Sequence, residues 1–211
     1  KELAEGEGYS FIEINPKFQE ESENKVINIE ININEGPRVY VNSINITGNT
    51  RTLDKVIRRE IGLSEGDAYN KFTTNYSRDS IRALNFFSSV ELSEEKSIFP
   101  DKIDLNIDVE EKNTGEASVG AGYSSSTSTS VTLGLRENNF LGKGQKVNFA
   151  ASFASTRNTY DISITEPYLN DKNLSLSADL YSNFNDPTGV NYETEDIGIG
   201  FGLGFPLASD K

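Results

Sequence analysis

From Thr114 to about Phe205 the chain alternates large apolar with small or polar residues for nearly a hundred positions, and few folds accommodate that pattern. Ala117, Val119, Ala121 and Tyr123 fall on one side of Ser118, Gly120, Gly122 and Ser124. Val131, Leu133 and Leu135 oppose Thr132, Gly134 and Arg136, and Val147, Phe149, Ala151 and Phe153 alternate with Asn148, Ala150 and Ser152. The pattern continues in Tyr160, Ile162, Ile164 and in Leu174, Leu176, Ala178, Leu180. It ends in Ile197, Ile199, Phe201, Leu203 and Phe205, separated only by Gly198, Gly200, Gly202 and Gly204. Successive strand side chains point to opposite faces, so this is an up-and-down meander of six strands, each with an apolar face and a polar or tiny one. Two environments reward it: a soluble sandwich buries the apolar face on a second sheet, and an outer-membrane barrel turns it to lipid. Periodicity does not separate them.

The preceding segment has a different grammar. Residues 1–8 read as a helix end, Tyr9 to Asn15 as a strand stopped by Pro16, and Gln19 to Lys25 as a polar link. Ile27, Ile29, Ile31 and Ile33 alternate with Asn28, Glu30, Asn32 and Asn34 as a half-buried strand, and Glu35-Gly36-Pro37 reads as a domain joint. A second module follows. Val39 to Thr47 is a strand; Thr52 caps a helix carrying Leu53, Val56, Ile57 and Ile61, with Gly62 as its left-handed C-cap; and Lys71 to Leu84 is a second helix. The stripe of that helix is out of step by one residue, Phe72 and Tyr76 lying off the line of Ile81 and Leu84. A short strand around Val90 and Leu92 precedes a last one, where Ile103, Leu105, Ile107 and Val109 alternate with acids and Asn106. The order is strand, helix, helix, strand, strand. Because Ile27–Asn34 repeats the alternation of Ile103–Glu110, residues 1–36 read as the tail of a like module. The start at Lys1, with no Met or signal peptide, suggests an excised fragment.

Composition narrows the chemistry. A formal charge of −13 opposes nucleic-acid binding, which uses basic surfaces. With no Cys and no His there are no disulfides, no thiol catalysis and none of the commonest general base. The acidic groups Glu193, Glu195, Asp196 and Asp101, Asp104 lack the spacing of a calcium loop, so no metal or cofactor is expected and an enzyme is the weakest class. The alternate glycines of the last strand are not in phosphate-loop spacing; the expectation is a strand packed closely against a lumenal plug or loop. Tyr123, Phe140, Tyr168, Tyr181 and Phe184 stand at strand ends, either as interfacial anchors or as core.

Several short motifs occur in collinear order: Gly36-Pro37-Arg38-Val39-Tyr40-Val41, Ile46-Thr47-Gly48-Asn49-Thr50-Arg51-Thr52, Val56-Ile57-Arg58-Arg59-Glu60, Leu84-Asn85-Phe86-Phe87, Gly120-Ala121-Gly122-Tyr123, Asn139-Phe140-Leu141-Gly142-Lys143-Gly144 and Glu166-Pro167-Tyr168. With them the chain resembles, over its whole length, the POTRA-plus-barrel proteins that insert β-barrels into outer membranes, and most closely the BamA branch. The resemblance implies an α+β POTRA module followed by an antiparallel up-and-down transmembrane β-barrel fragment of about six strands. Residues 1–36 would be the C-terminal part of one POTRA domain, 37–112 the last POTRA domain and 113–211 the N-terminal strands of the barrel. It further implies a non-enzymatic insertase whose partners are BamD-like accessory lipoproteins, unfolded outer-membrane clients and the lipid bilayer, with the POTRA part in the periplasm. By the same resemblance Arg58, Arg59 and Glu65 dock the lipoprotein. From the residues alone, Arg58 and Arg59 are cations at a helix end and Glu65 an exposed loop acid. The resemblance also makes the strand Gly115, Glu116, Ala117, Ser118, Val119, Gly120, Ala121, Gly122, Tyr123 the lateral-gate strand, whose edge would template client strands by backbone pairing. The rivals are an autotransporter-assembly or two-partner secretion transporter and, from another class, a secreted β-rich binding or adhesin protein.

Overall fold

The computed structural model describes residues 13–21, 26–34, 38–125, 128–187, 189 and 191–207. The expected helix end at 1–8 and the joint Glu35-Gly36-Pro37 lie outside them. The described residues form two compact units, one of residues 1–49 and 57–111, the other of residues 50–56 and 112–211.

The first unit begins with a hairpin of β1 (Glu13–Glu21) and β2 (Val26–Asn34). Pro16 does not stop β1; it sits opposite Ile31 in a strand that runs on through the expected polar link to Glu21. Among the described residues β1 pairs with β2 alone, and an edge strand tolerates proline. The register puts Ile14, Pro16 and Phe18 opposite Ile33, Ile31 and Ile29, one continuous apolar face.

The α/β module of this unit is β3 (Tyr40–Thr47), α1 (Asp54–Arg58, entering from residue 57), α2 (Lys71–Ala83), β4 (Phe87–Lys96) and β5 (Lys102–Glu111). Its sheet order is β3-β5-β4, with β5 parallel to β3 and antiparallel to β4. Alternation puts Ile103, Leu105, Ile107 and Val109 in the core with Val39, Val41, Ile57, Ile81, Phe86 and Val90. The opposite face carries polar pairs across the parallel strands: Asn45 Nδ2 donates to Asn106 Oδ1 at 3.0 Å and Thr47 Oγ1 to Asp108 Oδ1 at 3.0 Å.

Two helix expectations are corrected. α1 ends at Arg58, short of Ile61, and Gly62 is not a left-handed cap, since the positive φ of this loop falls on Gly66 instead. Gly62 is required by proximity: its N–H donates to Ser77 Oγ at 2.9 Å, and a Cβ there would lie 2.8 Å from Thr73 Cγ2. The same close approach explains the irregular stripe of α2. Its buried face is Thr74, Ser77 and Ile81, while Phe72 and Tyr76 point to solvent. Asn70 caps α2 by accepting from the N–H groups of Phe72 and Thr73, and Asn85, at φ 61°, turns the chain out of it.

The second unit is a six-stranded antiparallel meander: β6 (Gly115–Ser124), β7 (Ser128–Phe140), β8 (Gln145–Ala154), β9 (Arg157–Glu166), β10 (Ser175–Asn185) and β11 (Thr194–Gly204), in sequential order. At 10 to 13 residues, each matches or exceeds what a tilted strand needs to cross a bilayer, roughly 9–11. The sheet is not closed; β6 and β11 are its two edges. Its apolar face is uncovered from Val119 through Leu133, Phe153 and Ile162 to Phe201. On the other face, one register row reads Glu116, Arg136, Asn148, Ser163, Asp179, Gly200. Within it Arg136 Nε donates to Asn148 Oδ1 at 2.9 Å and Asn148 Nδ2 to Ser163 Oγ at 3.2 Å.

The glycines of β11 lie under the side chains of the adjacent strand, because Tyr181, Asp179, Ser177 and Ser175 lean across Gly198, Gly200, Gly202 and Gly204. Tyr181 therefore stands on the polar face and not among the apolar-face aromatics, whereas Phe184 keeps the parity of Leu180.

Candidate functional site

Two groups of residues carry the functional expectations, one in each unit. In the second unit it is β6. Among the described residues this strand pairs with β7 alone, Gly115 opposite Glu137 and Ser124 opposite Ser128, so its outer backbone groups have no strand beside them. Glu116, Val119 and Tyr123 are its only side chains larger than serine. The small ones leave hollows on both faces: about 310 Å³ beside Glu116, Ser118 and Gly134 on the polar face, and about 460 Å³ beside Ala117, Leu135 and Phe149 on the apolar face. Few large side chains on a strand hold its register weakly.

The root of β6 is the exception. Thr114 Oγ1 donates to Glu137 Oε1, and Asn138 donates twice to Thr114 O, from its backbone N at 3.3 Å and from Nδ2 at 3.1 Å. Arg51 Nη2 donates to Lys112 O at 2.8 Å. Residues 51–53, which belong to this unit, lie on the β7–β8 turn: the Leu53 N–H donates to Gly142 O at 2.9 Å and Asn139 Nδ2 to Thr52 Oγ1 at 2.9 Å. Gly142, at φ +71°, comes so close that a Cβ would lie 1.9 Å from Arg51 O. The local pattern of Asn139–Gly144 is that of a hairpin turn and does not disclose this cluster. The available signal was the pair of glycines, Gly142 and Gly144, both in the left-handed region.

In the first unit, the three charged residues separate. Arg58 and Glu65 come together at 3.5 Å and share the backbone of Ile44, whose N–H donates to Glu65 Oε1 at 3.3 Å and whose carbonyl accepts from Arg58 Nη2 at 3.2 Å. Their side chains remain about half exposed. Arg59 instead lies 3.6 Å from Glu60, with both side chains largely covered. Ile44 faces away from β5 on the edge of the sheet, and the loop backbone continues the cover, Gly66 N–H donating to Val41 O at 2.8 Å and Tyr69 N–H to Val39 O at 2.8 Å. Sequence did not reveal that Arg58 and Glu65 close a strand edge. Among the described residues no cluster of acids is arranged to hold a metal ion.

A strand-helix-helix-strand-strand module followed by strands with one lipid-ready face defines a class, the periplasmic-module-plus-barrel proteins of outer membranes. Residues 39–112 match the POTRA family model, described as a surface antigen variable number repeat, and residues 139–211 match the Omp85 superfamily domain. The chain carries both domains and resides in the outer membrane, with its POTRA part in the periplasm. It is similar to the outer membrane protein assembly factor BamA of Neisseria meningitidis, 30% identical over 95% of this chain and 26% of that protein. BamA of Nitratidesulfovibrio vulgaris is 33% identical over 82% of this chain and 22% of its own length. The crystal structure of BamA from Haemophilus ducreyi lacking POTRA domains 1-3 superposes with a TM-score of 0.87 at 26% identity, covering 99% of this chain and 40% of that one. The chain thus spans about a quarter of the length of these curated relatives.

Proposed function

We propose that this chain is the junction region of an outer-membrane protein assembly factor, in which β6 offers its free edge to strands of incoming barrel proteins. The carrying observation is a first strand of mostly small side chains that, among the described residues, pairs with β7 alone. Strand addition there uses backbone groups and tolerates any client side-chain pattern, as an insertase with many clients requires. The work is templating, with no catalytic group. Residues 37–112 act as the last POTRA domain, 1–36 as the end of the one before, and 113–211 as the opening strands of the barrel; the POTRA part receives unfolded clients. Similarity to BamA over 95% of the chain favours this reading over the transporter rivals and over a secreted sandwich.

These 211 residues contain no cysteine, so one placed at Ser118 is unique within them. During insertion of a client barrel carrying a cysteine in its terminal strand, Ser118→Cys is expected to form a register-specific disulfide with it in the full-length protein. Equal crosslinking from a cysteine on central strand β9 would contradict the templating role.

Arg58, Glu65 and, less exposed, Arg59 form the docking patch for a BamD-like accessory lipoprotein. Reversal of Glu65 to Lys is expected to weaken co-purification of that lipoprotein by tenfold or more. Because Glu65 also accepts from the Ile44 N–H, a thermal melt of Glu65→Lys checks that the edge stays closed, and a lipoprotein that tolerates Glu65→Lys removes the assignment.

A further inference from the structure

We propose that Arg51 and the Asn139–Gly144 turn form a clasp on the root of β6, so that this strand loosens and receives a client strand from its Tyr123 end while its Gly115 end stays fixed. The proposal rests on the reading of β6 as the pairing edge and gives that edge a direction.

The argument is one of unequal fastening along a single strand. At the root, Arg51 Nη2 holds Lys112 O at 2.8 Å, Thr114 Oγ1 donates to Glu137, and Asn138 donates twice to Thr114 O. Glu137 is oriented in turn by the N–H of Asn139 at 2.8 Å. Asn139 is itself fixed, its Oδ1 accepting from Gly144 N at 2.8 Å while its Nδ2 donates to Thr52. Leu53 N–H to Gly142 O, with the left-handed glycine pressed on Arg51 O, closes the circuit back to the arginine. Hydrogen bonds from a charged donor are worth more than neutral ones, and linked bonds reinforce one another.

Farther along, the strand is thinly held. A Cβ at Gly120 would meet nothing within 4 Å, whereas one at Gly115 would lie 2.9 Å from Glu137 Oε2. Val119 and Tyr123 stand open to their surroundings, and the side-chain bond to this half of the strand from Ser130 Oγ to Gly122 O is long at 3.5 Å. Local opening follows the distribution of such contacts, so fraying begins where they are fewest. A client strand would then seat on the outer edge of β6 from the Tyr123 end, and the clasp would keep the root of β6 fixed throughout.

Arg51 is on this view a positioning residue, and amide exchange resolved along β6 tests it without any client. In the full-length protein in lipid nanodiscs, Gly120–Tyr123 is expected to exchange at least about tenfold faster than Gly115–Ala117. Arg51→Ala should raise exchange at Gly115–Ala117 by about tenfold, the effect of one lost charged hydrogen bond. Exchange in β8 and β9 should be unchanged, and Arg51→Lys should restore part of the protection. Thr114→Val, which removes the hydroxyl donor with little change of shape, should act in the same direction, and it serves if Arg51→Ala does not fold. Uniform exchange along β6, or a root whose exchange neither variant changes, would overturn the clasp. Loss of crosslinking at Ser118→Cys with the exchange gradient intact would overturn the templating role and leave the clasp standing.

Discussion

Asp104 shows how single residues here trade local bonds for pH sensitivity. Hydrogen bonds from Ser43 Oγ at 2.6 Å and Asn42 Nδ2 at 2.7 Å hold its carboxyl below the usual carboxylate range. A depressed folded-state pKa means that the folded state binds the proton less readily than the unfolded chain does. The stabilisation is therefore complete above the unfolded value of about 3.9 and is lost as pH falls through the lower folded value. Asp104→Asn is expected to melt below the native chain at pH 7, with the gap closing in melts taken below about pH 3.9. A gap independent of pH would mean that the hydrogen bonds do not discriminate the charged form. Sequence marked Asp104 only as one acid among several, since its partners lie some sixty positions away on the neighbouring parallel strand. Gly62 carries the same lesson. Position after a helix suggested a left-handed cap, but its reason is the crowding of Thr73 and Ser77, which no local pattern discloses.

At the scale of elements, every strand of the meander was legible because period two is enforced along its whole length by a single apolar face. What periodicity could not show was the neighbour of each small residue. The glycines of β11 form a trough for the side chains of β10, and the trough is not uniform. A Cβ at Gly198 would lie 2.4 Å from the ring of Tyr181, while at Gly202 it meets only Ser177 Oγ, at 2.5 Å, which can rotate away. Gly198→Val is accordingly expected to destabilise the sheet by about 1–3 kcal/mol through overpacking. Gly202→Ala should be close to neutral, the gain in strand propensity offsetting a small shift of Ser177. Urea unfolding from lipid vesicles measures both, and equal losses would mean that the glycines serve something other than Tyr181. In α2 size misleads: of the two out-of-step pairs, Phe72 and Tyr76 are exposed, and the buried face is built of Thr74, Ser77 and Ile81. Tight approach selected small side chains there, and size ceased to report burial.

For the whole molecule, the order of modules was readable because each has its own period, 3.6 over α2 and 2 over the sheet. The assignment of residues 50–56 to the sheet unit was not, since these residues continue the sequence of β3 while their partners begin at Lys112. The most direct test of the account is whether the meander crosses a bilayer with its apolar face outward. Single cysteines carrying an environment-sensitive fluorophore, placed in turn from Phe149 to Phe153 on β8 in the full-length protein and reconstituted into vesicles, report this by quenching from brominated lipid. Lipid-facing and inward-facing residues alternate along a transmembrane strand. Quenching is expected to be strong at Phe149 and Phe153, weaker at Ala151, which its neighbours cover, and weakest at Ala150 and Ser152. Quenching without alternation, or protection of the apolar positions from lipid and water alike, would show that protein covers this face and would contradict a membrane-spanning sheet.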